Sequence, residues 1–489
     1  MDMKPKLTLI DDMQIKPIVD SAFRLLREEG VVVESKLVKE LLLSKVGVVE
    51  NRANGRLMLP GYLVRESIES AALWDKVMYD RDSNRYPLDK TYFNPGSAAV
   101  HIIDFDVSRQ ARATKPRPGN TKDYIEFTIV NDHLSDIEMQ STSFVSHDVA
   151  ESLHDSYRLY LALLHSPKPV ITGTFGRHGF KPMVEMLTAV RGTKEELAKK
   201  PLAIFDAAPT APLKWGDFLS ENIVDCAKLG IPIEFVSMPI PGSLSPIYLY
   251  NTLIQHTAET LSGVVISQVA KKCAPLIYGG SPMTSNFRFG HCIASPEVML
   301  INSAYAKIGQ YLGLATHSYL GLSDSMFIDY QAGVDTLFGV LAAEMSGVNI
   351  ASGPGMVRNE SIQSIEKLVL DNETIKIVRR FKKGITERPY NKDLFSELIH
   401  GDIMRHDSTL YEYKDEILLP DPGLMSRSDT AKEDAYAGAH RKAQLILMDH
   451  EPRMTSTDIQ KDLYAIMSTN ARSHGMTKLP EINYTREFI

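Results

Sequence analysis

Apolar residues at three- and four-residue steps open the chain. Ile15, Ile18, Val19, Ala22, Leu25 and Leu26 fall on one helical face over 13–29, and Gly30 stops the run. Similar patterns over 35–46 and 60–73 make 1–90 a helical N-terminal region. From about residue 97 the period changes. Short runs rich in β-branched residues fall at 99–105, 137–142, 169–175, 202–209, 231–240, 274–282, 314–321 and 348–355. Helical patterns over 121–132, 148–165, 179–190, 216–228, 247–271, 296–312 and 330–346 fill most of the gaps.

Strands that are apolar throughout and alternate with helices form parallel sheets covered on both faces. Eight such units predict closure into a (β/α)8 TIM barrel, an α/β fold, over 91–358. The first run, AVHIIDF, is equally able to serve as a hairpin arm. The main rival is an open doubly wound sheet, yet no GxGxxG follows any strand. Beyond 358 a long amphipathic helix carries Ile362, Ile365, Leu368, Val369, Ile377, Val378 and Phe381, and 426–450 reads as another helix. Residues 359–489 are therefore expected to be a helical extension packed on the barrel.

Composition narrows the setting. The chain has 489 residues, 44% hydrophobic and 24% charged, with a net charge of −7. That balance gives no basic patch for nucleic acid. No apolar run is long enough for a membrane span or a signal peptide. Cys226, Cys273 and Cys292 form no CxxC pair, which fits a reducing, cytoplasmic compartment. Barrels of this size often pair, so a homo-oligomer is expected.

Active sites of such barrels lie at the C-terminal strand ends. Several ends here are rich in small residues: GTFG, FDAAP, SMPIPGS, YGGSP, HSYLG and ASGPG. Small residues let a large group approach the backbone. No HExxH occurs, and a metal site is not expected; His317 with Asp324 and Asp329 is the best cluster. The strand runs contain no Lys for a Schiff base, and the glycine loops lack GK[ST]. The densest constellation is THSYLGLSDSMFIDYQAG, residues 316–333, where Asp329 is equally suited to cap the following helix.

GGSP with its following loop, SDSMFIDYQAG, SGPG and EKLVLDNE, in that order, resemble the trimethylamine methyltransferase family, and FNPGSAAVHIIDFD is similar to its first barrel segment. The resemblance runs over nearly the whole chain. It implies a (β/α)8 barrel that moves a methyl group from an amine to the Co(I) corrinoid (cobalamin) of a small partner protein. Founding members carry pyrrolysine in the barrel, whereas every residue here is standard. Members of that kind act on quaternary amines, so glycine betaine is the first substrate expected. A quaternary nitrogen leaves as a neutral amine, so no general acid is required and the chain's task is positioning.

Aromatic faces bind permanent cations. Phe93, Phe205, Trp215, Tyr248, Tyr278 and Tyr319 are the candidates by strand-end position, with Gln331 nearby. Asp206 or Asp324 would add Coulomb attraction, and Arg288, His317 or Asn94 would meet a betaine carboxylate. Asp324 and His317 are the groups placed to act on the reaction, if any does. Two rivals remain: a barrel lyase or hydrolase using Asp324 and Asp329, and a non-catalytic betaine-binding or docking subunit.

Overall fold

A computed structural model describes residues 5–106, 112–113, 115–286, 288, 290–421, 423–425 and 433–482. Eight strands form one parallel sheet: β1 (Tyr92–Asn94), β2 (Gln140–Ser141), β3 (Val170–Gly173), β4 (Ala203–Ala207), β5 (Ile233–Ser237), β6 (Leu276–Gly280), β7 (Ala315–Tyr319) and β8 (Ile350–Ser352). Their spatial order is β2-β3-β4-β5-β6-β7-β8-β1, so each strand lies beside its neighbour in sequence. Backbone hydrogen bonds bridge the seam between β1 and β2, from Met139 N to Phe93 O at 3.0 Å and from Ala99 N to Ser143 O at 2.9 Å. The sheet is a (β/α)8 barrel.

The first strand differs from its expected position. Tyr92–Asn94 enters the barrel, not 99–105. His101–Ile102 pairs with Ile362–Gln363, and Phe105–Asp106 pairs antiparallel with Arg112–Ala113. Ala99 of the apolar run AVHIIDF joins the seam, and from His101 onward the run satisfies its backbone outside the barrel ladder. The shorter YFN run carries too few residues for a periodic signal.

Among the described residues, sixteen α-helices surround the sheet. Three precede it: α1 (Asp12–Glu28), α2 (Lys36–Leu43) and α3 (Gly61–Ala72). Between the strands run α4 (Thr121–His133), α5 (His154–His165), α6 (Phe180–Arg191), α7 (Lys194–Lys199), α8 (Asp217–Leu229), α9 (Leu249–Ala270), α10 (Pro296–Tyr311) and α11 (Tyr330–Ser346). After them come α12 (Ile365–Lys383), α13 (Lys392–His400), α14 (Tyr413–Glu416), α15 (Ala435–Asp449) and α16 (Thr457–Ser473). Part of the helix expected at 426–450 lies outside the described residues. α1 and α3 pack on α9, while α12 packs between α11 and α15. A short parallel pairing of Val32–Val33 with Lys214–Trp215 ties the N-terminal region to the loop after β4. Among the described residues, no helix is long and apolar enough to cross a membrane.

Helix starts follow local chemistry. Asp11 and Gln14 form a capping box on α1, and Asn120 and Asp123 form one on α4. Ser295 caps α10 ahead of Pro296, and Asp329 caps α11 through the Ala332 N–H at 3.3 Å.

α11 carries two glycines in opposite environments. A Cβ on Gly339 would lie 1.7 Å from the Leu320 carbonyl oxygen, whereas one on Gly333 would meet nothing within 4 Å. Helical Gly costs about 0.5–1 kcal/mol relative to Ala. G333A should therefore stabilise the fold by about 0.5 kcal/mol, and G339A should destabilise it by about 3 kcal/mol through overpacking against backbone. Urea unfolding of the two variants measures both signs.

Candidate active site

Strand period two builds the barrel interior in layers. Tyr92, Met139, Ile171, Ile204, Ile277, Ala315 and Ile350 form an apolar floor, joined by Met78 and Leu88. Two residues further along the same seven strands stand Asn94, Ser141, Gly173, Asp206, Gly279, His317 and Ser352. Glu234 on β5 joins this polar layer, in register with Asp206. Gly279 leaves the room it needs, since a Cβ there would lie 3.0 Å from Glu234 Cγ.

The polar layer is dry and its protons can be followed. Ser352 Oγ donates to Asn94 Oδ1 at 3.0 Å, so it accepts from His317 Nε2 at 2.7 Å. His317 Nδ1 is in contact with Glu234 Oε1. Burial drives the His317 pKa down to about 4, with the Asp206 charge partly offsetting it. Burial drives Glu234 far upward. Burial thus disfavours the charged form of both partners of this contact. Asp206 also titrates far above the ordinary carboxylate range, first through burial and then through Glu234. Its Oδ1 has no hydrogen-bond partner among the described residues.

Above this layer lies a cavity of about 180 Å³, walled by Ser97, Arg158, Phe175, Asp206, Tyr319 and Glu360 among others. Glu360 stands at its lip, where Ser281 Oγ donates to Oε1 at 2.8 Å. Burial raises its pKa to about 7, moderated by that hydrogen bond. The backbone that carries it is strained: Arg358, Asn359 and Glu360 have φ of 53°, 53° and 66°. Left-handed geometry costs L-residues roughly 1–2 kcal/mol each, and such strain collects at functional sites. A larger groove of about 980 Å³, lined by Ile129, Tyr160 and Tyr464 among others, lies on the outer helix surface instead.

The sequence candidates separate cleanly. Asn94, Asp206, His317 and Tyr319 come together in the barrel interior. Phe93, Phe205 and Tyr278 occupy the alternate strand positions and point into the helix shell. Phe93 lies under Arg379 at 5.5 Å, Phe205 meets Phe180 edge-on at 5.3 Å, and Tyr278 O–H donates to Thr257 Oγ1 at 3.1 Å. Trp215 is buried beneath α9, where its indole N–H donates to Ser262 at 2.8 Å. Tyr248 is an exposed residue ahead of α9, and Arg288 is exposed on a hairpin after β6. Gln331 lies on the surface of α11 and reaches Asp335 at 3.4 Å.

Asp324 accepts the N–H groups of Ile293 and Ala294 at 3.1 and 2.9 Å, and Asp329 caps α11. Both carboxylates proposed for a lyase or hydrolase are thus spent on backbone. The aromatic contribution to the cup is Tyr319 and Phe175, matched by two acids, Asp206 and Glu360. Among the described residues, no three His, Cys, Asp or Glu side chains are grouped to hold a metal ion.

Sequence reasoning passed over Glu234, Glu360 and Arg158. Glu234 had a signal: it is the one charged residue inside the apolar run IPIEFVSMPI. Glu360 and Arg158 had none, because a loop and a helix bring them to the mouth.

The trimethylamine methyltransferase family model matches residues 1–475. The chain is 26% identical over 482 residues to a trimethylamine methyltransferase of Methanosarcina barkeri, covering 94% of this chain and 95% of that one. It is also 26% identical over 493 residues to a glycine betaine methyltransferase of Desulfitobacterium hafniense, covering 96% and 98%. The crystal structure of the Methanosarcina barkeri monomethylamine methyltransferase superposes with a TM-score of 0.42 at 11% identity, over 91% of this chain and 96% of that one. A match over nearly the full length, on a barrel whose strand ends enclose a shaped cavity, makes this chain a methyltransferase belonging to the trimethylamine methyltransferase family.

Proposed function

We propose that the protein removes a methyl group from a quaternary amine and passes it to the Co(I) corrinoid of a partner protein, with glycine betaine the first substrate to try. The observation that supports this is Asp206: a half-buried carboxyl group, one oxygen of which has no hydrogen-bond partner among the described residues, facing a cavity beside Glu360 and Tyr319. A lone carboxylate in a dry site is costly unless a cation arrives. A quaternary ammonium is such a cation, and it offers no N–H for which the site would need acceptors.

Within this reading the chain binds and aims. Asp206 and Glu360 hold the positive nitrogen by charge, and the Tyr319 ring adds a cation–π face worth about 0.5–2 kcal/mol. The Glu234–His317 pair below fixes the floor of the site. The leaving amine departs neutral, so no side chain need give a proton. The corrinoid supplies a strong cobalt nucleophile when its carrier docks. The mouth fits a broad apolar body: Phe175, Tyr248, Phe327 and Tyr330 are exposed on the loops after β3, β5 and β7. The cavity walls offer acids and a phenol rather than groups that would bind cobalt. All three cysteines are free thiols, as a cytoplasmic enzyme handling Co(I) requires.

Release of a tertiary amine from glycine betaine should require added cob(I)alamin, with loss of the cob(I)alamin absorbance. Absence of both with every quaternary amine tried would end the proposal. D206N should lower kcat/KM about 100-fold by removing the buried charge opposite the cation. An acid whose folded pKa is raised destabilises the fold once pH exceeds its unfolded value. D206N should therefore melt no lower than wild type at pH 7.5 in a calorimetric scan.

The Glu360 carboxyl, at about 7, sets a pH dependence. It is protonated below that value and ionised above it, and the ionised form attracts the cation. Affinity for a quaternary amine should rise from pH 6 to pH 8, and E360Q should flatten that rise; titration calorimetry across the range reads it.

A further inference from the structure

The cavity has a second pole that methyl transfer from a simple cation leaves unused. Arg158 on α5 lines it while only 1% exposed. Its Nε donates to the His154 carbonyl at 3.1 Å, Nη1 to the Thr142 carbonyl at 2.8 Å and Nη2 to Asp155 Oδ1 at 3.0 Å. A guanidinium has five N–H donors. These bonds leave one hydrogen on each Nη. Asp155 takes the N–H groups of Phe175 and Gly176 on Oδ2, at 2.8 and 3.2 Å. One carboxylate thus fixes both Arg158 and the loop after β3. The Phe175 ring lies 5.2 Å from the guanidinium carbon. The result is an immobile, dry cation in the same cavity as Asp206 and Glu360.

We propose that Arg158 is the carboxylate-binding pole of the site, so that the substrate is a zwitterion: a quaternary ammonium joined by a short linker to a carboxylate. This rests on the quaternary-amine reading. Such a molecule carries both charges that the cavity wall can meet, its ammonium suited to Asp206 and Glu360 and its carboxylate to Arg158. A planar carboxylate suits the guanidinium fork and its spare donors. Choline carries the same ammonium head but a neutral hydroxyl, so it offers the two spare Arg158 N–H donors no charged acceptor. Tetramethylammonium brings only a positive charge toward a cavity that already holds one. Arg158 therefore selects for betaines and against plain cations. Two of the groups expected from sequence do not serve this end: Arg288 is out on its hairpin, and His317 is engaged with Glu234 and Ser352 in the layer beneath.

Titration calorimetry at pH 8, without corrinoid, tests this with glycine betaine, choline and tetramethylammonium. Wild type should bind glycine betaine at least about 30-fold more tightly than choline, the scale of a charge-assisted hydrogen bond. R158Q should narrow that ratio to within about threefold, and R158K should leave an intermediate ratio because an ammonium lacks the fork. Should R158Q fail to fold, seen by circular dichroism, the wild-type and R158K ratios decide. Wild type binding choline or tetramethylammonium within threefold of glycine betaine would overturn the assignment while leaving the quaternary-amine reading intact. Binding of none of the three would instead remove that reading, and the assignment with it. A ratio unchanged in folded R158Q would mean that Arg158 only braces Thr142 and Asp155.

Discussion

Carboxyl groups packed away from water are the constraint around which the barrel is organised. Asp206, Glu234 and Glu360 all sit where water is scarce, and burial pushes each toward its protonated form. Desolvating a carboxylate costs several kcal/mol in a real protein, and a packed apolar core would be cheaper. The strand ends carry that cost because the apolar floor beneath them is complete. Seven inward side chains close the bottom of the barrel, and the polar layer begins only two residues above. Stability and chemistry are thus separated along the barrel axis.

The acids are not equivalent. Glu234 contacts His317, whose ring is held through Ser352 and Asn94. Asp206, one strand away, has no such relief and keeps an oxygen free. Glu360 reaches the lip on a strained turn and is held by one serine. Moving outward, the groups go from fully compensated to responsive, which is the order a site needs if its base must stay rigid while its mouth answers to a ligand. Arg158 extends the same logic to a cation in the cavity wall. Its charge is balanced by Asp155, but its donors are not exhausted.

The barrel was legible because its signal repeats. Seven of the eight strand runs and all the interstrand helices of ten or more residues lie within a few residues of their expected places, since apolar runs and period-3.6 faces recur along the chain. The first strand was displaced because YFN is too short to show a period, while the longer AVHIIDF run beside it satisfies its backbone elsewhere from His101 onward. The short α7 was missed for the same reason. The site was half legible. Strand-end position found Asp206, His317 and Tyr319, but it also chose Phe93, Phe205 and Tyr278, whose alternate phase turns them outward. Phase is fixed by which face of each strand meets the core, and a strand buried on both faces hides it. Arg158 and Glu360 come from a helix and a loop, where no strand pattern reports them.

The central claim is that the substrate's cationic head rests on Asp206 inside the strand-end cavity. A crystal structure with bound glycine betaine tests it most directly. The account places the quaternary nitrogen within about 5 Å of the Asp206 carboxylate, in Coulomb contact with it across no intervening water. Electron density for the ligand outside the barrel mouth, or a protein side chain turning in to neutralise Asp206 in its place, would contradict it.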